Sequence, residues 1–211
     1  MLRAAPAPEL APPEYTRRPL ELVPELLLAF PSCSDRSANN ARCDGLGAGA
    51  GFGVSALWRM SPYFAFGGTL SALRFGFDAP GSAGSSDDSA SGLFYGLLGR
   101  VYFADRGLVE PYLELGLGAG ADRTRAREAD ALSYSETATG AAVRVGGAVE
   151  FYLARQVRLG PAFDWTRFRV GQLQRCGGTQ ACQNLDPGSA GHGVGFTTFS
   201  VRLTILVGPG L

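Results

Sequence analysis

Between Leu20 and Val207 the chain reads as a series of segments that alternate, residue by residue, between apolar side chains and small or charged ones. In Leu20–Phe30 the positions Leu20, Leu22, Pro24, Leu26 and Leu28 share one face. Glu21, Val23, Glu25, Leu27 and Ala29 share the other. Gly47–Arg59 sets Ala48, Phe52, Val54 and Trp58 against Gly49, Gly51, Gly53, Ser55 and Leu57. Val109–Asp122 sets Val109, Leu113, Leu115 and Leu117 against Glu110, Tyr112, Glu114, Gly116 and Asp122. Period two is the signature of a strand, and no segment carries a helical stripe. The remaining expected strands are Tyr63–Phe77, Leu93–Phe103, Thr139–Leu153, Gln156–Thr166 and Val194–Val207, eight in all. The alternation slips at Gly67 and Gly68, where a bulge is expected.

The links carry as much information as the strands. Met60–Pro62, Ala104–Leu108 and Ala154–Arg155 are short, whereas Pro31–Leu46, Asp78–Gly92, Arg123–Ala138 and Arg167–Gly193 are long and polar. Short and long alternate strictly. In an up-and-down meander this puts tight turns at one end and four long links at the other. An even strand number with that asymmetry predicts an all-β, closed eight-stranded antiparallel up-and-down barrel of the kind that crosses an outer membrane. The expected strands also reach the 9–11 residues that a tilted crossing needs.

Composition then separates inside from outside. One face of the strands is nearly free of charge, and the other carries Glu21, Glu25, Arg100, Glu110, Glu114, Asp122, Arg144, Glu150, Arg158, Asp164 and Arg202. A soluble sandwich or a lipocalin-like barrel holding an apolar ligand would turn the apolar face inward. A membrane barrel does the reverse. Glycine, 30 of 211 residues, favours the second arrangement, because it clusters on the charged faces. A solvent face needs no missing side chains, whereas the lumen of a narrow barrel is only just wide enough for them. Aromatic residues gather near the strand ends: Trp58, Tyr63, Phe64, Tyr102, Phe103, Phe151 and Tyr152 by the short turns, and Phe30, Phe75, Phe77, Phe94, Tyr95, Trp165, Phe168 and Phe196 by the long links. Two interfacial belts are expected from them.

The 19 basic residues are all Arg and balance 19 acidic ones, which excludes a general nucleic-acid binder. An ion in a dry lumen must be paired. The expected network contains Arg100, Arg144, Arg158 and Arg202 with Glu110, Glu114, Glu150 and Asp164, and Arg59 joins if it faces inward. Arg100, Arg144 and Arg202 are expected to bridge Glu110, Glu114 and Glu150, since the arginine fork binds carboxylates bidentately. Such a network would plug the barrel, which at eight strands has no open channel.

The four cysteines lie in two long links. The local disulfides Cys33–Cys43 and Cys176–Cys182 are expected, and pairing across the two links is the alternative. Disulfides fit an oxidising compartment. The nine residues between Cys33 and Cys43 are too many for the usual zinc spacing. Asp87 and Asp88, in a Ser/Gly-rich run, read as a solvated loop rather than a calcium site. No cofactor is expected. Residues 1–19, rich in Pro and Ala, read as a flexible leader, and residues 20–211 as the barrel domain.

The strand number, the link alternation and the last strand, Phe196-Thr-Thr-Phe-Ser-Val-Arg-Leu-Thr-Ile-Leu-Val207, are similar to those of the small eight-stranded outer-membrane barrels of Gram-negative bacteria, the OmpA/OmpX-like transmembrane domain family. The resemblance covers roughly residues 20–207 and departs at the end, where Gly-Pro-Gly-Leu211 follows in place of a terminal aromatic residue. It implies periplasmic termini, a lipopolysaccharide-containing bilayer and the barrel-insertion machinery as partners, and surface partners reached through the links. The function it implies is a structural or adhesive platform without turnover. Lipid-A-modifying barrels of similar form are the enzymatic alternative. They use a His–Ser pair or a similar set at the outer rim, for which this chain offers His192 and Ser189 without an acid at suitable spacing.

Overall fold

The computed structural model describes residues 20–33, 46–77, 89–103, 108–127, 133–177, 182–186 and 194–208. Among the described residues nine strands follow one another: β1 (Leu20–Cys33), β2 (Leu46–Ser61), β3 (Phe64–Phe77), β4 (Ser89–Tyr102), β5 (Val109–Arg127), β6 (Ser133–Ala154), β7 (Val157–Gly177), β8 (Gln183–Leu185) and β9 (Val194–Val207). Each strand from β1 to β7 pairs antiparallel with the next. β9 pairs with both β7 and β1, which closes an eight-membered ring. β8 lies outside the ring and adds three residues to the far end of β7.

Every wall strand buries alternate residues. In β1, Glu21, Val23, Glu25, Leu27 and Ala29 are buried, and Leu22, Pro24, Leu26, Leu28 and Phe30 are exposed. In β5, Glu110, Tyr112 and Glu114 are buried, whereas Leu113, Leu115 and Leu117 are more than half exposed. The charged face is therefore the lumen and the apolar face the exterior. A lipocalin-like barrel would have the opposite arrangement. An exposed apolar band around a closed sheet is the surface that hydrocarbon solvates, and ring closure leaves no unpaired strand edge within it.

Three expectations differ from the structure. No bulge occurs at Gly67 or Gly68: β2–β3 pairing runs unbroken from Gly49↔Phe75 to Arg59↔Ala65, and the register shifts fall between Leu46 and Gly49 and between Arg59 and Ser61. Gly67 continues the inward row of Ala65 and Thr69, where a Cβ would strike the Ala56 carbonyl, so the glycine marks close backbone approach rather than an extra residue. Second, β5, β6 and β7 run to 19, 22 and 21 residues. Much of Arg123–Ala138 and of Arg167–Gly193, expected as loop, is paired strand, from Asp122↔Ala138 to Arg127↔Ser133 and from Ala138↔Leu173 to Tyr134↔Gly177. Third, the aromatic belts are thinner than expected. Trp58, Tyr63, Phe64, Phe103, Phe151, Phe30, Tyr95 and Trp165 face outward, but Tyr102, Phe75, Phe94 and Phe168 are buried inside.

Candidate functional site

Parity places the lumen residues, and the length of each strand sets their height. Along β1, Glu21 lies near the short-turn end and Glu25 about one-third of the way up, with Leu27 and Ala29 above. The same order repeats around the ring. Two tiers of ions occupy the half nearer the short turns, and an apolar layer fills the half nearer the long links.

The lower tier joins Glu21, Glu110 and Glu150 to Arg59 and Arg158. Arg59 contacts Glu21 at 3.1 Å and Glu110 at 2.6 Å. Arg158 contacts Glu110, Glu21 at 3.1 Å and Glu150 at 3.4 Å. Glu110 and Glu150 stand directly opposite each other on β5 and β6, a like-charge pairing that costs stability unless cations neutralise it. Arg158 touches both. Three hydroxyls complete the tier. Tyr102 donates to Glu21 at 2.6 Å, and Tyr112 and Thr204 each donate to Glu150 at 2.9 Å. The Arg59 guanidinium also stacks 3.9 Å from the Tyr102 ring centre.

The upper tier joins Glu25, Glu114 and Asp164 to Arg100, Arg144 and Arg202. Arg202 is its centre. It donates bidentately to Glu114 at 2.8 and 2.9 Å, to Glu25 at 2.8 Å and to Asp164 at 2.7 Å. Arg144 reaches Glu25 at 3.1 Å and Asp164 at 2.9 Å, and Arg100 reaches Glu114 at 3.0 Å. Arg202 also donates to the Tyr112 hydroxyl at 3.2 Å, which links the tiers. Buried carboxylates and guanidiniums in such numbers are tolerated only because each finds several partners, since desolvating an ion costs several kcal/mol.

The eight residues expected in the network are all inside. Their pairing differs in part from the expectation. Arg100, Arg144 and Arg202 converge on Glu114. Glu110 and Glu150 belong to Arg158, and Glu110 also to Arg59. They sit lower in the barrel than Arg144 and Arg202. Sequence reasoning set Glu21 and Glu25 inward without giving them partners, and it missed the hydroxyls of Tyr102, Tyr112 and Thr204. Their signal was present: each shares the parity of a neighbouring lumen ion.

Glycines on the lumen face make the space. A Cβ on Gly146 would meet the Asp164 carboxyl, one on Gly53 the Glu25 carboxyl, and one on Gly120 the Phe168 ring. Above the ions lie Leu27, Ala29, Leu73, Phe75 and Ala90 on one side and Phe94, Ala138, Ala142, Phe168 and Leu173 on the other. A cavity of about 20 Å³ bordered by Phe75, Phe94, Phe168 and Phe196 lies between them, little more than one water would occupy.

Cys176 and Cys182 form a disulfide that ties the end of β7 to the start of β8. The Cys33–Cys43 pairing, Asp87, Asp88, Ser189, His192 and the leader 1–19 lie outside the described residues or side chains. Among the described residues no group of three or more His, Cys, Asp or Glu is placed to hold a metal ion.

No family model matches the chain, and no curated protein matches it. Solved structures do. Neisserial surface protein A superposes with a TM-score of 0.59 at 14% identity, over 89% of this chain and 97% of that one. A major outer membrane protein from Thermus thermophilus gives 0.61 at 11%, over 88% and 98%. The outer membrane protein OprG from Pseudomonas aeruginosa gives 0.52 at 11%, over 90% and 98%. With its ring closed, its lumen charged and its exterior apolar, the chain has the fold of the small eight-stranded outer-membrane β-barrels.

Proposed function

We propose that this protein is a non-enzymatic outer-membrane barrel, a structural or adhesive platform that holds its long links at the cell surface, with termini in the periplasm and a lumen closed by the Arg–Glu network. One observation carries the reading. The six carboxylates of the two tiers are at most 4% exposed, while Leu26, on the opposite face of β1, is 72% exposed. Such a surface needs lipid or detergent, and such an interior offers no path for ions.

The apolar layer with its cavity of about 20 Å³ supports the same reading. So does the outer part of β5–β7, which extends polar sheet beyond the apolar band and gives the links a rigid base. Display of those links is the activity left to a closed, plugged wall.

The purified protein is expected to need detergent to stay dispersed and to shift in mobility between unboiled and boiled gels. In planar bilayers it is expected to show no stable, large open levels. Sustained conductance from pure protein would overturn the plug. Hydrolysis of lipid A by pure protein, lost in a His192→Ala variant, would overturn the non-enzymatic assignment.

A further inference from the structure

The outward face of the wall changes character at one height. Along β5 it reads Leu113, Leu115, Leu117, Ala119, Ala121 and then Arg123 and Arg125. Along β3 it reads Phe66, Gly68, Leu70, Ala72 and then Arg74. β7 does the same, with Phe163 and Trp165 followed by Arg167 and Arg169. All five arginines are exposed, and all lie toward the long-link end. Among the described wall residues no Asp or Glu faces outward. Every acid there has lumen parity.

Register brings three of these arginines together. Arg74 on β3 is opposite Ser91 on β4, and Ser91 is opposite Arg123 on β5. The two arginines therefore flank Ser91 in one cross-strand row, about 10 Å apart at their backbones. Arg125 is two residues farther along the same face, about 7 Å from Arg123. Ser91 is short and exposed, so no bulky side chain stands between the two arginines in this row. Its hydroxyl donates only a long 3.4 Å bond to the Arg123 carbonyl. Thr137, opposite Arg123 on β6, borders the far side.

We propose that Arg74, Arg123 and Arg125 form a binding site for the phosphate of an anionic lipid headgroup in the leaflet at the long-link end. The chemistry fits on three counts. Guanidinium forks donate bidentately to phosphate oxygens. The row is continuous with the apolar band, so a lipid whose acyl chains lie along Leu70, Tyr95 and Ala119 carries its headgroup to Ser91. Positive charge on a wall whose described residues turn no acid outward attracts an anionic headgroup in preference to a zwitterionic one. The proposal rests on the membrane-barrel reading, and the test separates the two.

The chain has two tryptophans, Trp58 and Trp165. A Trp58→Phe/Trp165→Phe/Tyr95→Trp protein carries one reporter on the lipid face, four residues below Ser91. It is refolded into phosphatidylcholine vesicles containing equal small fractions of either dibrominated phosphatidylglycerol or dibrominated phosphatidylcholine. The anionic lipid is expected to associate about fivefold more strongly at the reporter, and this preference is expected to vanish in the R74Q/R123Q/R125Q background. The single R123Q variant, folded by its gel shift, is expected to lose part of it. Equal quenching by the two lipids, or a preference unchanged by these substitutions, would overturn the headgroup site alone. Absence of quenching even in vesicles made wholly of dibrominated phosphatidylcholine would overturn the membrane reading itself.

Discussion

At the scale of residues, the lumen is a problem of volume as much as of charge. Gly53 leaves room for the Glu25 carboxyl, which Arg144 and Arg202 hold in place, so the carboxyl cannot move aside. Gly53→Ala is expected to destabilise the barrel by about 1–3 kcal/mol through overpacking. Gly68→Ala, on the lipid face, is expected to be nearly neutral, because a Cβ there meets only the Gly96 carbonyl at an ordinary 3.8 Å. Urea midpoints in detergent compare the two variants. The carboxylates also differ among themselves. Glu114 binds Arg100, Arg144 and Arg202, and Glu114→Gln leaves buried cations short of a partner, at an expected cost of about 3–5 kcal/mol. Glu150 faces another carboxylate, and six acids share five arginines in the two tiers. Glu150→Gln keeps an oxygen for the Tyr112 and Thr204 hydroxyls and relieves the repulsion with Glu110. The same assay is expected to show a loss below about 1 kcal/mol, in the range of a single cross-strand pair.

At the scale of elements, the sequence was readable wherever one face of a strand was apolar. Glu21, Glu25, Glu114, Arg144 and Asp164 show their inward parity because leucines, valines or aromatics flank them. The same rule hid the ends of β5, β6 and β7. From Arg123 to Arg127 and from Ser133 to Ala138 both faces are largely polar, and hydrophobic contrast disappears although backbone pairing continues to Arg127↔Ser133. Partner choice within the lumen was not legible either. It depends on how far each strand is offset from the next, which only ring closure fixes. The outer extension of β7 is held by the Cys176–Cys182 disulfide and by the Arg175–Glu136 pair. The bond closes a short loop, worth about 2 kcal/mol in chain entropy. A Cys176→Ser/Cys182→Ser variant is expected to exchange amide hydrogens faster at Gln174, opposite Asn184 on β8, with no change at Gly146 or Leu115 deep in the wall.

At the scale of the whole molecule, the network crosses the seam where the chain closes on itself. Arg202 on the last strand stands opposite Glu25 on the first, 177 residues away in sequence. It then reaches across the lumen to Glu114 and Asp164. An arginine that touches all three acids of the upper tier thus sits on the strand that closes the ring. Until β9 arrives, Glu25, Glu114 and Asp164 have only Arg100 and Arg144 as cations, and β1 and β7 both have open edges. The interior therefore acts as a check on completeness. A chain lacking β9 is not a slightly weakened barrel but one with two arginines for the three acids of its upper tier and with its wall unsealed. Selection for a finished product is built into the place where one arginine sits.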